Sequence, residues 1–421
     1  MRSRNYRLFW FGQCASVTGT WMQDTALPLL VLKLTDSPFA FGLTMTIRYL
    51  PAMFISLFGG VIADRLPKRS TLVATQTLQL AIALALAILT QAHAVTVGLI
   101  WVFVAMRGTV DAVDMPTRQA FTVEMAGQED LANAVALNSA QFNTARILGP
   151  SLAAILIPTV GMAVCFYVNA ASFIAVIAAY LLMRGAQLFP APRAPRGNPV
   201  KQVVEGLRYA AGIPEILLVL VVMAAMGTFG FNFQTIIPLL NQYVVNIGDK
   251  GLGILLALTG VGSVVAGLFA AFGGKPSERR LLISAAVFTV ILFLMGVSHL
   301  FILTAVLAFF IGVASIIFMT AANTRLQLLS AGHMRGRVMA MYSLLFVGTT
   351  PIGSFLVGVL AGKKGNAQAG VPRMVLEIAG ICAVTLVAGV WFVMWRRSIV
   401  KTNLGRPAGP AAVSPADPLE E

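Results

Sequence analysis

Long apolar segments alternate with short polar ones along the chain. Twelve of the apolar segments approach the roughly 20 residues that a membrane-spanning helix needs. They cover about residues 9–32, 40–63, 72–91, 95–116, 136–158, 161–183, 213–241, 251–273, 280–297, 300–322, 338–361 and 374–395. No run shows the apolar–polar alternation over about ten residues that a membrane barrel requires. Because a helix satisfies its own backbone hydrogen bonds in lipid, the pattern predicts an all-α integral membrane protein with twelve transmembrane helices.

Composition agrees with lipid as the solvent. Of 421 residues, 58% are hydrophobic and 11% are charged, whereas soluble proteins carry about a quarter charged residues. The net charge of +14 would suggest nucleic acid in a soluble protein. Here most lysines and arginines fall in polar segments on one side if the N-terminus is cytoplasmic. The positive-inside rule therefore predicts a multi-pass protein of the cytoplasmic membrane with both termini in the cytoplasm and no nucleic-acid partner.

The sequence lacks the signs of a catalytic or metal site. Cys14, Cys165 and Cys382 are scattered, and no metal-ligand spacing or Cys/His pair occurs. No nucleotide-binding motif occurs either, which argues against ATP as the energy source. The sequence therefore predicts neither an enzyme nor a cofactor nor a resident metal.

The chain divides into two halves. A segment rich in Pro, Gly and Arg, 185–212, is predicted to be a cytoplasmic linker between an N-terminal six-helix half, 1–184, and a C-terminal half, 213–397. Part of this linker, about 200–211, can form an amphipathic helix on the membrane surface. A disordered cytoplasmic tail is expected over 398–421.

The two halves also resemble each other in sequence. Residues 138–156 align with residues 342–360 at a constant offset, with identical serine, phenylalanine and glycine positions. Repeated halves are typical of secondary transporters, in which the substrate site lies between the halves near the membrane midplane. The repeat predicts two pseudo-symmetric six-helix bundles.

A charged segment between the second and third apolar runs carries a family resemblance. Residues 60–69, GVIADRLPKR, resemble the loop 2–3 signature of the major facilitator superfamily, G-x-x-x-D-R/K-x-G-R/K-R/K, with Pro67 in place of the second glycine. The matching positions are Gly60, Asp64, Arg65, Lys68 and Arg69. The resemblance implies that this loop latches the two halves together on the cytoplasmic side. The positive-inside rule explains the bases equally well, but it does not explain the acid.

Two further segments fit the same superfamily. Arg107 matches its intramembrane arginine, although Asp111 stands where glycine is usual. Residues 145–154, ARILGPSLAA, resemble the antiporter signature G-x-x-x-G-P-x-x-G-G through Gly149 and Pro150, with alanines at the outer glycine positions. Several segments, such as NYRLFWFGQ and DMPTRQAF, are similar to the enterobactin-exporter and macrolide-efflux branch.

Charges within the apolar runs are functional candidates, because a charge at membrane depth costs about 3 kcal/mol or more. Asp24 extends a polar stripe through Gln13 and Thr20 at helical spacing, which predicts that the stripe faces an aqueous cavity. Arg48 lies at similar depth in the next helix, so the two can pair. A purely structural ion pair remains the alternative.

The remaining internal charges lie in the fourth and fifth helices. Arg107 and Asp111 can touch along one helix face. Arg146 should reach a similar depth, whereas Asp114 lies nearer the cytoplasmic end and is either functional or simply solvated. The candidates for proton coupling are Asp24 first, then Asp111 and Asp114, with the three arginines as their partners.

The second half has no central charge. Its seventh helix offers Asn232, Gln234 and Phe229 as candidates for the substrate cavity, because amides are costly in lipid and rings suit an apolar guest. Packing against lipid or neighbouring helices is the alternative for the phenylalanines.

Together these features predict a secondary transporter. The resemblance implies proton-coupled export of a small amphipathic molecule, a drug or a siderophore, by alternating access. The expected partners are this molecule, protons and membrane lipid, and a monomer is expected. An importer or lipid flippase of the same fold, or a non-transporting membrane sensor, remains an alternative.

Overall fold

Helices make up nearly all of the described chain. The computed structural model describes residues 3–189, 199–270, 277–331, 334–362 and 366–404. Within these ranges there are fifteen α-helices and no strand. They are α1 (Arg4–Thr35), α2 (Pro38–Arg65), α3 (Lys68–Gln91), α4 (Val97–Ala126), α5 (Leu131–Val160), α6 (Met162–Leu181), α7 (Pro199–Gly212), α8 (Pro214–Thr228), α9 (Phe233–Leu240), α10 (Gly248–Ala270), α11 (Glu278–Val297), α12 (Phe301–Leu329), α13 (Arg335–Val347), α14 (Thr350–Gly362) and α15 (Ala367–Leu404).

Side-chain caps define several helix starts. The hydroxyls of Ser3, Thr96 and Ser277 each accept a hydrogen bond from a backbone amide in the first turn of α1, α4 and α11. Such caps satisfy amides that have no partner within the helix. They place the helix starts at short polar segments between the apolar runs.

Eight helical segments of the described chain are long and apolar enough to cross a membrane by length and composition. They are Lys68–Gln91, Met162–Leu181, Pro214–Val245, Gly248–Phe269, Glu278–Val297, Phe301–Leu329, Arg335–Gly362 and Ala367–Phe392. Helices α1, α2, α4 and α5 are outside this set although each has at least 28 residues. These four helices carry the predicted internal charges. The number of twelve transmembrane helices stays a prediction.

The first six helices pack on one another. Helix α1 lies against α5 and α6, α2 lies against α4, and α3 lies against α4 and α6. In the later part of the chain, α12 packs against α10 and α11, and α15 packs against α11. The principal contacts between the two groups join α2 to α14 and α5 to α10.

The seventh apolar segment is not one continuous α-helix. Helix α8 is followed by a short 3₁₀ turn at Gly230–Asn232, by α9, and by a π-helical turn at Asn241–Val245. Discontinuous helices are typical of transporter binding sites. The first residues of α9, Phe233 and Gln234, line a cavity that residues of α1 and α5 also line.

Several contacts join the two groups of helices at the ends remote from the N-terminus. Lys33 pairs with Asp249 at 2.9 Å, and the Tyr243 hydroxyl donates to the Asp36 carboxylate at 3.0 Å. A Cβ atom on Gly42 of α2 would lie 2.6 Å from a Cα atom of α14, so glycine is required for this close approach. On the predicted topology this is the outer side of the membrane.

The predicted linker and the start of the predicted C-terminal tail also have helical structure. Helix α7 lies in the linker, and its Glu205 pairs with Arg337 of α13 at 2.8 Å. Helix α15 continues to Leu404, so disorder from residue 398 is not what the structure shows. No proline occurs between Pro372 and Pro407, so no residue in this stretch lacks the backbone N–H that the last helix needs to extend. The rest of the predicted tail lies outside the described residues.

Candidate functional site

A carboxylate shared by two arginines lies at the centre of the first six helices. Arg48 of α2 donates through Nη2 to Asp24 Oδ2 at 2.8 Å and through Nη1 to Oδ1. Arg107 of α4 donates through Nη1 to Asp24 Oδ1 at 2.7 Å. The Arg107 side chain is 4% exposed and the Asp24 side chain is 19% exposed. Three helices therefore meet at one charged group that is still accessible from one side.

Close packing of α2 on α4 makes this arrangement possible. A Cβ atom on Gly108 would lie 2.2 Å from the backbone oxygen of Arg48, so any side chain there would push the helices apart. Gly108 directly follows Arg107. The glycine thus allows both guanidinium groups to reach the same carboxylate.

Asp111 balances the charge of this cluster. Its carboxylate lies 3.8 Å from Nε of Arg107 and accepts a hydrogen bond from Gln79 of α3 at 2.6 Å. The predicted contact along α4 is therefore present, but Asp24 is the closer partner of Arg107. Two carboxylates and two guanidinium groups leave the cluster of Asp24, Asp111, Arg48 and Arg107 electrically neutral.

Asp114 is buried rather than solvated. Thr75 and Gln76 of α3 donate to its Oδ1 at 2.7 Å and 2.8 Å, and Arg118 lies 3.7 Å away. The alternative of a solvated acid is wrong, because polar side chains of α3 surround the carboxylate. This acid ties α3 to α4 within the first six helices.

A cavity lies between the two groups of helices. Helices α1, α5, α9 and α10 line it. Its polar lining residues include Asp24, Thr25, Arg146, Gln234 and Thr259, and its apolar walls include Trp21, Phe233 and Leu256. This mixture of apolar walls and a few polar groups is typical of a site for a small organic molecule.

Arg146 enters this cavity from α5 without a protein partner. Its Nη2 atom is buried and has no hydrogen-bond partner among the described residues. Within that part of the chain no carboxylate lies at ion-pair distance from it either. The cavity therefore contains one positive charge that no described residue pairs with.

Comparison with known proteins identifies the family. A family model described as "Transmembrane secretion effector" matches residues 1–404. The chain belongs to this family of major facilitator transporters. It is therefore a multi-pass membrane transporter and not an enzyme.

The relatives of this transporter handle several kinds of cargo. The chain is 23% identical to the staphyloferrin A transporter of Staphylococcus aureus, over 89% of this chain and 92% of the relative. It is 26% identical to the multidrug efflux pump Tap of Mycolicibacterium fortuitum, over 85% and 89%, respectively. It is 24% identical to the enterobactin exporter EntS of Shigella boydii, over 84% and 85%. The predicted resemblance to the superfamily and to this branch is thus confirmed.

The fold agrees with a solved transporter structure. The chain superposes with a TM-score of 0.69 on a bacterial homologue of the human lysosomal transporter Spinster in an inward-facing, unoccupied conformation. That comparison covers 98% of this chain and 100% of the other at 12% identity. At this identity the likeness concerns the fold alone.

The structure brings only part of the predicted substrate cavity together. Gln234 lines the cavity, but Gln13 is buried and Thr20 donates to Asn169 of α6 at 3.4 Å. Asn232 donates to the backbone oxygen of Thr228 and accepts from Ser354 of α14. The polar stripe of α1 was expected to face water, but Asn169 satisfies part of it inside the bundle.

Phe229 and the neighbouring Phe231 belong to the core of the second half. Phe231 lies 5.1 Å from Phe288, 5.3 Å from Phe346 and 5.9 Å from Phe318, measured between ring centroids. Phe229 is partly buried against the same core. The packing alternative therefore describes these rings better than a role in the cavity.

Two bases of the loop signature, Lys68 and Arg69, contact residues of the first six helices. Lys68 pairs with Glu124 at the end of α4 at 2.7 Å, and Arg69 donates to the backbone oxygens of Tyr180 and Leu181 at the end of α6. Gly60 lies in α2, and the side chains of Asp64 and Arg65 are outside the described residues. A latch formed by that acid stays a prediction.

The antiporter-like segment contributes directly to the cavity. Gly149 packs against Trp21 of α1, and Pro150 lines the cavity. Trp21 and Leu256 were not among the sequence candidates. They lie in continuous apolar runs, where no pattern distinguishes a cavity wall from a lipid-facing position.

Proposed function

We propose that this transporter is a proton-coupled antiporter that exports a small amphipathic molecule across the cytoplasmic membrane by alternating access. The observation that carries the proposal is the position of Asp24. It lines the cavity between the two groups of helices, and it is bonded at the same time to arginines of α2 and α4. A single acid therefore contacts both the cargo space and two helices that can move.

Protonation of Asp24 changes the forces on those helices. A neutral carboxyl group attracts a guanidinium group far less than a carboxylate does, and an unpaired charge at membrane depth is costly. Arg107 can then move toward Asp111, which already lies 3.8 Å from its Nε. Arg48 lies less than two helical turns from the contact between Gly42 and α14. Loss of its bond to Asp24 would thus act on a helix that closes the outer side.

Exchange follows because the proton and the cargo have opposite effects on the protonation of Asp24. A proton taken up from outside would release the arginines and favour the transition that opens the cavity inward. Binding of the cargo there would favour loss of the proton to the cytoplasm, and the loaded transporter would return. The termini are cytoplasmic in this scheme, and the protein acts as a monomer.

The cavity supports an amphipathic cargo. Trp21, Phe233 and Leu256 offer apolar surface, while Arg146 and Gln234 offer hydrogen bonds. The names of the relatives point to siderophores or drugs as the classes to test first.

The test begins with the cargo. Accumulation of siderophores and of drugs is compared in cells that lack their own efflux pumps, with and without this protein. The selected compound is then added to proteoliposomes that contain a pH-sensitive dye, with a proton gradient of either polarity. Export against the compound's gradient that follows the proton gradient would support antiport, whereas uptake would favour an importer.

The decisive variant is Asp24→Asn, which resembles the permanently protonated acid. Substrate-dependent proton movement should be lost, while substrate binding should persist. Glu377→Gln removes an acid near the outer end of α15 and serves as the matched control. Undiminished proton movement in Asp24→Asn would transfer the coupling role to Asp111 or Asp114. Loss of binding would instead make Asp24 a binding residue.

A further inference from the structure

The charges around the cavity do not sum to zero. Asp24 and Asp111 balance Arg48 and Arg107, and Asp114 has its own partner in Arg118. Arg146 remains, with a buried Nη2 atom that has no partner in the described part of the chain. Among the described residues, the cavity therefore carries an excess of one positive charge.

Asp24 is poorly placed to supply the missing negative charge. Its Oδ1 already accepts from both arginines, and its Oδ2 accepts from Arg48. The carboxylate therefore has little capacity left for a third guanidinium group. Because no described residue pairs with Arg146, its partner is sought outside the protein.

The surroundings of Arg146 define what kind of partner fits. Pro150 lies one turn further along α5, and the rings of Trp21 and Phe233 line the same cavity. A guanidinium group binds planar anions through two parallel hydrogen bonds, and an apolar wall favours a carbon skeleton attached to the anion. An amphipathic organic acid satisfies both requirements.

We propose that Arg146 binds the anionic group of the transported molecule and that the cavity selects amphipathic acids over neutral or cationic molecules of the same shape. The inference rests on the proposed transport through this cavity. A bound monoanion neutralises the cavity, which lowers the cost of enclosing it within the membrane. Loaded and empty transporters then differ in charge as well as in occupancy.

Three probes with one skeleton test this charge preference. They are 2-naphthoate, 2-naphthamide and 2-naphthylmethylammonium, and their binding to the purified transporter in nanodiscs is measured by isothermal titration calorimetry. Wild-type protein should bind the acid about ten- to a hundredfold more tightly than the amide, the range expected for a charge-assisted pair. The cation should bind least well.

Substitution of Arg146 should remove this preference. In Arg146→Gln the ratio of the dissociation constants of the amide and the acid should fall close to one. Arg146→Lys should keep part of the preference for the acid, because lysine retains the charge but not the planar guanidinium group. Arg373→Gln, an exposed arginine that pairs with Glu377, should leave the ratio unchanged. The thermal midpoint of each variant shows that it is folded.

A lipid headgroup and a soluble acid share the same anionic chemistry. The titration is therefore repeated in nanodiscs of phosphatidylcholine alone and of phosphatidylcholine with phosphatidylglycerol. Competition by phosphatidylglycerol would identify a lipid as the source of the anion, and absence of competition would identify a soluble acid. Both results uphold the anion site.

Three outcomes would overturn the inference. They are equal affinities for acid and amide in the wild type, tightest binding of the cation, and failure of the acid to bind. None of them bears on the proton movement measured with Asp24→Asn. If Asp24→Asn kept its proton movement and the wild type preferred the acid, the coupling mechanism would be overturned but the anion site would not.

Discussion

The two halves of this transporter have different interiors. In the first, Asp24, Arg48 and Arg107 join three helices through directional, charged hydrogen bonds. In the second, Phe288 and Phe318 are fully buried and surround Phe231. The halves resemble each other in sequence and both contain buried rings, yet the charged cluster lies in the first half, whereas the rings around Phe231 lie in the second.

The difference separates two tasks. A carboxylate with two guanidinium partners changes its interactions when it gains a proton, whereas stacked rings do not. Ring packing is also less directional than a charged hydrogen bond, so it can hold helices together while they shift slightly. We infer that the first half responds to protons and that the second half mainly supplies stability and a cavity wall.

Removal of a central ring should have the largest effect on stability. Phe288→Ala deletes a side chain that is 0% exposed and stacked on Phe231 at 5.1 Å, so we expect about 3–5 kcal/mol of destabilisation. The measurement is denaturant unfolding of the purified protein in detergent micelles. Phe293→Ala on the same helix is the control, because that ring is 50% exposed and should change stability little. Similar losses in both variants would show that the aromatic cluster has no special role.

A change of geometry at Arg107 should affect transport more than stability. Arg107→Lys keeps the charge, but an ammonium group cannot contact Asp24 and Asp111 through one planar fork. We expect transport to fall by about tenfold, equivalent to about 1.4 kcal/mol, with stability nearly unchanged. Initial transport rates in proteoliposomes provide the measurement, and Arg373→Lys on the exposed end of α15 provides the control. A lysine variant with wild-type rates would mean that a point charge at this position suffices.

The smallest effect should come from loss of the ion pair between Lys33 of the first half and Asp249 of the second. Lys33→Ala removes a pair with Asp249 in which the lysine is 57% exposed, so we expect less than about 1 kcal/mol of change. Even so, a small change can shift the balance between conformations by severalfold. The readout is the rate at which a water-soluble thiol reagent labels a cysteine introduced at Thr259 from the outer side. Slower labelling than in the parent would contradict a closing role for this ion pair.

Sequence reasoning was most successful where a physical cost reveals the residue. Asp24, Arg48, Arg107 and Arg146 stand out because a charge in an apolar run needs a reason. Counting residues along the first two helices indicates equal depth for Asp24 and Arg48, and the structure places them in contact. Depth follows from the rise of a helix, which is nearly constant.

Rotation of a helix about its axis is harder to predict. The stripe through Gln13 and Thr20 was assigned to a cavity, but Asn169 of α6 provides a polar partner inside the bundle. In a membrane helix both lipid and protein neighbours are apolar, so amphipathic periodicity gives little guidance. The same reason hides Trp21 and Leu256, whose role depends on which helices meet around the cavity.

Trp21 provides the molecule with its own optical reporter. Its indole ring lines the cavity and lies edge-on to Phe142 at 5.6 Å, whereas Trp391 and Trp395 are exposed on the last helix. Indole emission depends on the polarity around the ring, so the arrival of cargo and the departure of water alter its colour and brightness. A chain in which phenylalanine replaces the other four tryptophans would follow loading in real time without an attached dye.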